Sequence, residues 1–402
     1  MSPNPPTDPR PLASRAAPRT TRRQFLGRGA AVLGGLALGP SLLTACGGDG
    51  GDGNAATTAG GTTTDGGLQG TKLVILNWPL YIENDDAETS ATLRAFSEQT
   101  GIEVDYRPEI DGNDSFYTKY EPQLSAGRGI GADLVVLTSW MAARMIEQGF
   151  VQELDTTSVP NRSNILPDLA DPDFDPGRRF SLPYAIGQAG LAYYPDKVGG
   201  EIDDVNVIFD RRFAGKVTIL DEMRDSVGLT MLGMGLDPST GSVADAEAAI
   251  AKIAKAREAG QFKRITGNSY TEDLDLGDTW IAMAWSGDIA SLRAENEDLA
   301  WVIPKQGGMR FVDNMLIPIG AANKAGAEAF MNFLYQPSVA AGLYEAINYV
   351  PPVAGAREQM TAEAQSSPFI NPPPTPKLYD FRTLTPEEDE RLGRAFAEAT
   401  QQ

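Results

Sequence analysis

The 402-residue sequence carries 54 acidic and 34 basic side chains, a formal net charge of −20, with one cysteine and no histidine. Histidine triads, histidine general bases, histidine zinc sites and disulfides are therefore excluded. The acidic balance argues against nucleic acid or anionic lipid as a partner, and suits attraction of cations as well as plain solubility.

Residues 1–45 read as an export signal. Thr21-Arg22-Arg23-Gln24-Phe25-Leu26 precedes an uncharged stretch over 29–43, which leads into Leu43-Thr44-Ala45-Cys46. A basic segment, a short apolar core and a small-residue cleavage site make a secretory signal, and paired arginines mark the route for already folded cargo. The apolar stretch is short for a bilayer span. The segment resembles a bacterial lipoprotein signal, which implies cleavage before Cys46 and acylation of its sulfur. The alternative is a free buried cysteine behind an ordinary signal. The expected location is extracytoplasmic, on the periplasmic or cell-wall side, anchored through Cys46 and cut off from cytosolic ATP and nicotinamide pools. Residues 46–70 then hold the lipidated cysteine and a Gly/Thr/Ala/Asp-rich linker. Leu68 is its only large apolar side chain, and such a tether spans a root-mean-square ~25–30 Å.

The body opens with a strand over 72–77, a helix over 91–100 stopped by Gly101, and a period-two strand over 102–106. A helix near 116–125, a strand over 133–137 and a helix from Met141 follow. This β-α-β-α-β order predicts a mostly parallel sheet flanked by helices. Beyond Pro183 come strands over 190–194 and 217–220, a long helix over 243–260, strands over 281–285 and 301–303, a helix over 325–335, and another from Pro337, where proline suits a helix start. The length left after signal cleavage suffices for two domains. Two α/β lobes without catalytic chemistry suggest a clamp that binds in the crevice where the carboxyl ends of strands converge.

The informative side chains sit at those ends. Trp78 and Tyr81 follow the first strand, Thr138, Ser139 and Trp140 follow the third, and Asp221, Glu222 and Asp225 follow 217–220. Trp285 and Asp288 follow 281–284, Phe311 and Asp313 lie in Gly307-Gly-Met-Arg-Phe-Val-Asp313, and Tyr349 precedes Val350-Pro-Pro352. Acids also favour helix starts, so Asp221, Glu222 and Asp225 alone could be caps. The whole set has a further meaning. An alkyl chain with terminal ammonium groups needs apolar walls, π-faces and an anion at each end. A cation–π contact contributes ~0.5–2 kcal/mol and a charge-assisted hydrogen bond ~1.5–3 kcal/mol. Without a carboxylate, burying an ammonium costs several kcal/mol.

Asn77-Trp78 with Tyr81, Asp133-Leu-Val-Val136, Gly277-Asp278, Trp285-Ser-Gly-Asp288, Pro304-Lys-Gln-Gly-Gly308, Asp313, Pro318, Asn332-Phe-Leu334 and Gln336-Pro337 form a combination specific as a set. From Lys72 to the C-terminus the chain resembles the periplasmic spermidine/putrescine-binding proteins of ABC importers. The resemblance implies an α/β, two-lobed periplasmic-binding-protein fold with crossover hinges near 183–194, 305–313 and 353–361, and a ligand cleft between lobes. Lobe 1 would comprise 71–187 plus 313–355, and lobe 2 would comprise 188–312 plus 356–402. It also implies an aromatic box of Trp78, Tyr81, Trp140, Trp285, Phe311 and Tyr349. Asp225, Asp288 and Asp313 would hold amines, Glu222 is a further candidate, and Thr138 supplies a hydroxyl. The implied function is capture of a small organic cation, a polyamine such as putrescine or spermidine, for delivery to an ABC permease. The protein is then a monomeric binder and no enzyme, with no cofactor, metal or nucleic acid.

Two departures bear on the ligand. Leu80 stands where the family usually carries an acid, with Pro79 beside it in place of a small polar residue. Phe381-Arg382 stands where a glutamine often reaches the ligand. A missing acid and an added cation count against a long triamine or tetramine. Two other readings stay open: the same fold with an iron, sugar or amino-acid-derived solute, for which Tyr193-Tyr194 is the candidate iron pair, or an extracytoplasmic hydrolase using paired carboxylates. The tyrosine pair also reads as a plain strand end before Pro195. No acid/base motif and no eightfold barrel order support the hydrolase.

Overall fold

The computed structural model describes residues 68–401. Cys46, the paired arginines and most of the linker lie outside them.

The first half builds three parallel strands with helices between. β1 (Lys72–Leu76) leads to α1 (Ala91–Thr100), β2 (Glu103–Arg107), α2 (Asn113–Ser125), β3 (Leu134–Thr138) and α3 (Ser139–Glu147), and β1 pairs in parallel with both β2 and β3. Local chemistry sets the boundaries. The Ser90 hydroxyl accepts from Leu93 N at the start of α1, and Gly101 ends it at φ 73°, a left-handed conformation glycine adopts without a Cβ clash. β3 reads Leu-Val-Val-Leu because it is buried on both faces. Asp133, just before it, accepts from Val74 N at 2.9 Å and Asn323 N at 2.8 Å, tying the strand's start to its neighbours.

β4 (Ser181–Tyr193) is buried along all 13 residues. After it come α4 (Pro195–Val198), β5 (Val217–Leu220), α5 (Met223–Gly233), α6 (Val243–Glu258), β6 (Phe262–Thr266), α7 (Tyr270–Asp275), β7 (Ile281–Trp285), α8 (Ser286–Glu295) and β8 (Ala300–Val302). β9 (Gly308–Leu316) follows, then α9 (Lys324–Leu334), α10 (Pro337–Ile347), α11 (Ala362–Ser366), β10 (Leu378–Tyr379) and α12 (Pro386–Thr400).

The strands join in the order β2-β1-β3-β9-β4-β7-β5-β6, with β8 beside β4 and β10 beside β9. The parallel expectation holds for β1, β2 and β3 and again for β5, β6 and β7. It fails at the centre. β9 runs antiparallel to β3 and β4, and β4 runs antiparallel to β7. β4 and β9 thus carry the sheet from one lobe into the other and lie beneath the cleft. Residues 353–361, expected as a third crossing, stay with the first lobe. Val353 bridges Ile165, and Thr361 bonds Glu345 on α10. The chain reaches the other lobe later, through Pro368 and Phe369, whose carbonyls accept from Gln188, and through β10. α12 then packs on α6.

Candidate functional site

A cavity of about 800 Å³ opens between the lobes where the strands end. Trp78, Tyr81, Thr138, Trp140, Glu222, Asp225, Trp285, Asp288, Phe311 and Asp313 all line it. Tyr349 stands behind that wall, fully buried, its ring 4.9 Å from Tyr81 and 6.5 Å from Phe311. Tyr193 and Tyr194 lie outside it. The Tyr194 hydroxyl donates to Leu274 O at 2.7 Å and accepts from Asn296 at 3.0 Å.

From the first lobe, Trp78 is fixed by its Nε1 donating to Val136 O at 3.0 Å. Tyr81 stacks on Tyr184 with centroids 5.7 Å apart. Leu80 between them has φ 63°, a left-handed turn unusual for leucine, and it does not reach the cavity wall. Antiparallel pairing of β3 with β9 sets Thr138 opposite Asp313. Asp313 accepts from the Thr138 hydroxyl at 2.7 Å on one oxygen and from the Tyr81 hydroxyl at 2.5 Å on the other.

From the second lobe, Glu222 precedes α5 and Asp225 sits in its first turn, where unpaired N–H groups favour negative charge. Trp285 Nε1 donates to Asp225 at 2.8 Å. Asp288, in the first turn of α8, accepts from Asn268 at 2.6 Å, Tyr270 at 2.7 Å and Tyr349 at 3.4 Å. Two glycines make room for the rings. A Cβ at Gly187 would lie 2.1 Å from the Phe311 ring, and one at Gly287 would lie 1.8 Å from Tyr349.

The four carboxylates share one property. None forms an ion pair among the described residues. Burial pushes Asp313 up to about 6, Asp225 and Asp288 to about 7, and Glu222 to about 8, although the hydrogen bonds they accept, and for Glu222 and Asp225 the nearby Arg224 charge, oppose the shift. One Glu222 oxygen, Oε1, has no hydrogen-bond partner. Flat aromatic walls and buried carboxylates outside any ion pair make a receptor for cationic groups.

The chain matches the family described as bacterial extracellular solute-binding protein over residues 91–371. It belongs to that family. This solute-binding protein is 30% identical over 346 residues to the putrescine-binding periplasmic protein PotF of Escherichia coli, covering 81% of this chain and 90% of the relative. It is 28% identical to the E. coli spermidine/putrescine-binding periplasmic protein, covering 75% and 83%. Among solved structures it resembles the spermidine/putrescine ABC transporter substrate-binding protein PotD from Streptococcus pneumoniae, with 26% identity, a TM-score of 0.65, and coverage of 82% of this chain and 98% of that one.

The solute-binding protein also holds residues that its sequence does not announce. Asn113 Nδ2 donates to Thr138 Oγ1 within its own lobe at 2.9 Å and across the cleft to Glu222 Oε2 at 3.0 Å. Asn268 and Tyr270 orient Asp288. No local pattern marks these three, because their partners lie on other elements. The added cation of the sequence reading, Arg382, does line the cavity. Arg382 is held by Glu388 through two 2.9 Å contacts at the start of α12. The cations over the Trp140 ring of the aromatic box are Arg224 and Arg144, their guanidinium carbons 4.1 and 5.1 Å from its centroid.

The lobes touch where Asn268 N donates to Asp111 O at 3.3 Å. A Cβ on Gly267 would lie 2.0 Å from that same Asp111 oxygen. Gly267→Ala is expected to wedge the lobes apart, weakening ligand affinity about tenfold or more, as overpacking by ~1–3 kcal/mol implies. Titration calorimetry checks the affinity, with thermal unfolding of the ligand-free protein as control. Wild-type affinity in a stable variant would show that this contact is not made in the bound state.

Proposed function

We propose that this protein captures a polyamine outside the cytoplasmic membrane and passes it to the permease of an ABC importer. The observation that carries the reading is the set of four carboxylates, none of them in an ion pair among the described residues, placed among Trp78, Tyr81, Trp285 and Phe311. A polyamine brings the missing cations and an alkyl chain for the aromatic walls. Relatives of similar extent support the ligand class: those aligned over 81% of this chain are named for putrescine or for putrescine and cadaverine. Asp313 on the bridging strand β9, with Thr138 and Tyr81, would hold one amine. Asp225, Asp288 and Glu222 would face the other. Closing of the lobes around the ligand, a shift between open and closed populations, is the signal a permease would read.

Titration calorimetry with putrescine, cadaverine, spermidine, spermine, arginine and ferric citrate tests this. Saturable binding is expected for at least one polyamine and none for ferric citrate. A protein that is folded by circular dichroism yet binds no amine would overturn the reading.

The protein acts in this reading as a monomer, without catalysis and without nucleic acid, tethered by lipid on Cys46 after twin-arginine export. Cys46→Ala is expected to release it from membranes or leave it unprocessed. A membrane-bound variant of mature size would refute the anchor.

A further inference from the structure

We propose that Arg224 restricts the cargo to diamines by standing where the third ammonium of a triamine would have to bind. The inference rests on the polyamine reading above and names the class within it.

The cleft has an inner and an outer end. Trp78, Tyr81, Trp285, Asp225, Asp288 and Asp313 at the inner end are all buried. At the outer end stand Trp140 and the partly exposed side chains of Arg144, Arg224 and Asp389, all lining the same cavity. A longer amine that fills the inner end must carry its extra ammonium outward, to the Trp140 face.

That place is taken by the chain itself. Arg224 and Arg144 lie 4.1 and 5.1 Å from the Trp140 ring centroid. Asp389 on α12 binds both guanidiniums, at 2.5 Å each, and Asp114 pairs Arg144 at 3.6 Å. Of the other acids along this part of the wall, Asp380 is paired with Arg310 and Glu390 with Arg394. Glu147 and Asp173 are exposed to water, where a charge pair contributes little. An incoming ammonium therefore finds the aromatic face covered and the sheltered carboxylate already neutralised. To enter, it must expel Arg224 from both, exchanging one cation–π contact for another and leaving a guanidinium unpaired.

A diamine avoids that exchange. Its two charges stay among Asp313, Asp225, Asp288 and Glu222. Arg224 directly precedes Asp225 on α5, so one helix start presents an anion to the cargo and a cation to the far wall.

The test is titration calorimetry of wild type, Arg224→Met and Arg224→Lys with putrescine, cadaverine and spermidine. Wild type is expected to prefer a diamine over spermidine by about tenfold or more. Arg224→Met keeps much of the side chain's bulk without its charge, and should move the spermidine-to-putrescine ratio at least tenfold toward spermidine. Arg224→Lys should keep the wild-type preference. Wild type binding spermidine as tightly as putrescine would overturn the proposal, even if neither variant folds. So would an unchanged ratio in a folded Arg224→Met protein. A wild-type protein that binds no amine would instead remove the polyamine reading on which the proposal stands.

Discussion

Asp313→Asn is expected to weaken polyamine binding by ~2–5 kcal/mol, the usual cost of removing one member of a buried charge pair. The size of the side chain hardly changes, so packing survives. Two things are lost. The ammonium proposed to sit there has no anion in a dry site, and the amide oxygen cannot accept from both hydroxyls now shared by the carboxylate, Thr138 at 2.7 Å and Tyr81 at 2.5 Å. With the amide nitrogen turned toward one of them, that hydroxyl can only accept from it and loses the acceptor it now donates to. Calorimetry with the best-binding amine measures the loss, and thermal unfolding checks the fold. A stable Asp313→Asn protein that binds every cation as wild type does would remove Asp313 from the site.

The second large effect is on pH. Burial raises Asp313 to about 6, Asp225 and Asp288 to about 7 and Glu222 to about 8, so part of this set is protonated near neutrality. Amines with lysine-like pKa stay charged throughout, and a bound ammonium favours the ionised carboxylate. Binding should therefore release protons. Each group that must ionise costs about 1.4 kcal/mol per pH unit below its pKa, so even one such group at about 7 makes affinity at pH 5 roughly a hundredfold weaker than at pH 8, and every further group adds to the loss. Titrations in buffers of different ionisation enthalpy count the protons. Proton uptake, or affinity independent of pH, would contradict the proposed role of these acids.

Stability of the ligand-free protein follows the opposite course. The folded-state values lie above those of the unfolded chain, so the folded protein holds protons that unfolding releases. The contribution of these groups is fully present below about pH 4 and is lost as pH rises through 6 to 8. The upward shift in melting temperature on adding ligand should accordingly be larger at pH 8 than at pH 5.5.

Much of this site was legible because sheets of this type gather ligands at the carboxyl ends of their strands. Trp78, Thr138 and Trp285 follow or end strands whose apolar runs are plain in the sequence. Asp313 lies on a strand that does not read as one in the sequence. β9 carries Arg310 and Asp313 where a buried strand would carry aliphatics, and it spends those positions on the cleft. β4 reads as a strand only from Gly190 because Pro183 and Gly187 weaken local strand preference. Pairing on both edges overrides that preference. Arg224, Asn113 and Asn268 stayed hidden for a common reason: each acts on a partner in the facing lobe or on another element.

The central place of β9 also sets a clock on synthesis. Thr138 and Asp313, neighbours in the finished sheet, are 175 residues apart in the chain. At about 5–20 residues per second, β3 leaves the ribosome some 10–35 s before the strand that covers its second edge exists. Throughout that interval Leu134-Val135-Val136-Leu137 offers an uncharged, β-prone edge to any neighbouring nascent chain. Such long-range pairing folds slowly once the strand arrives. A translocon that threads unfolded polypeptide would carry that open edge across the membrane. The twin-arginine route proposed above, which takes folded cargo, would let the edge close in the cytosol first.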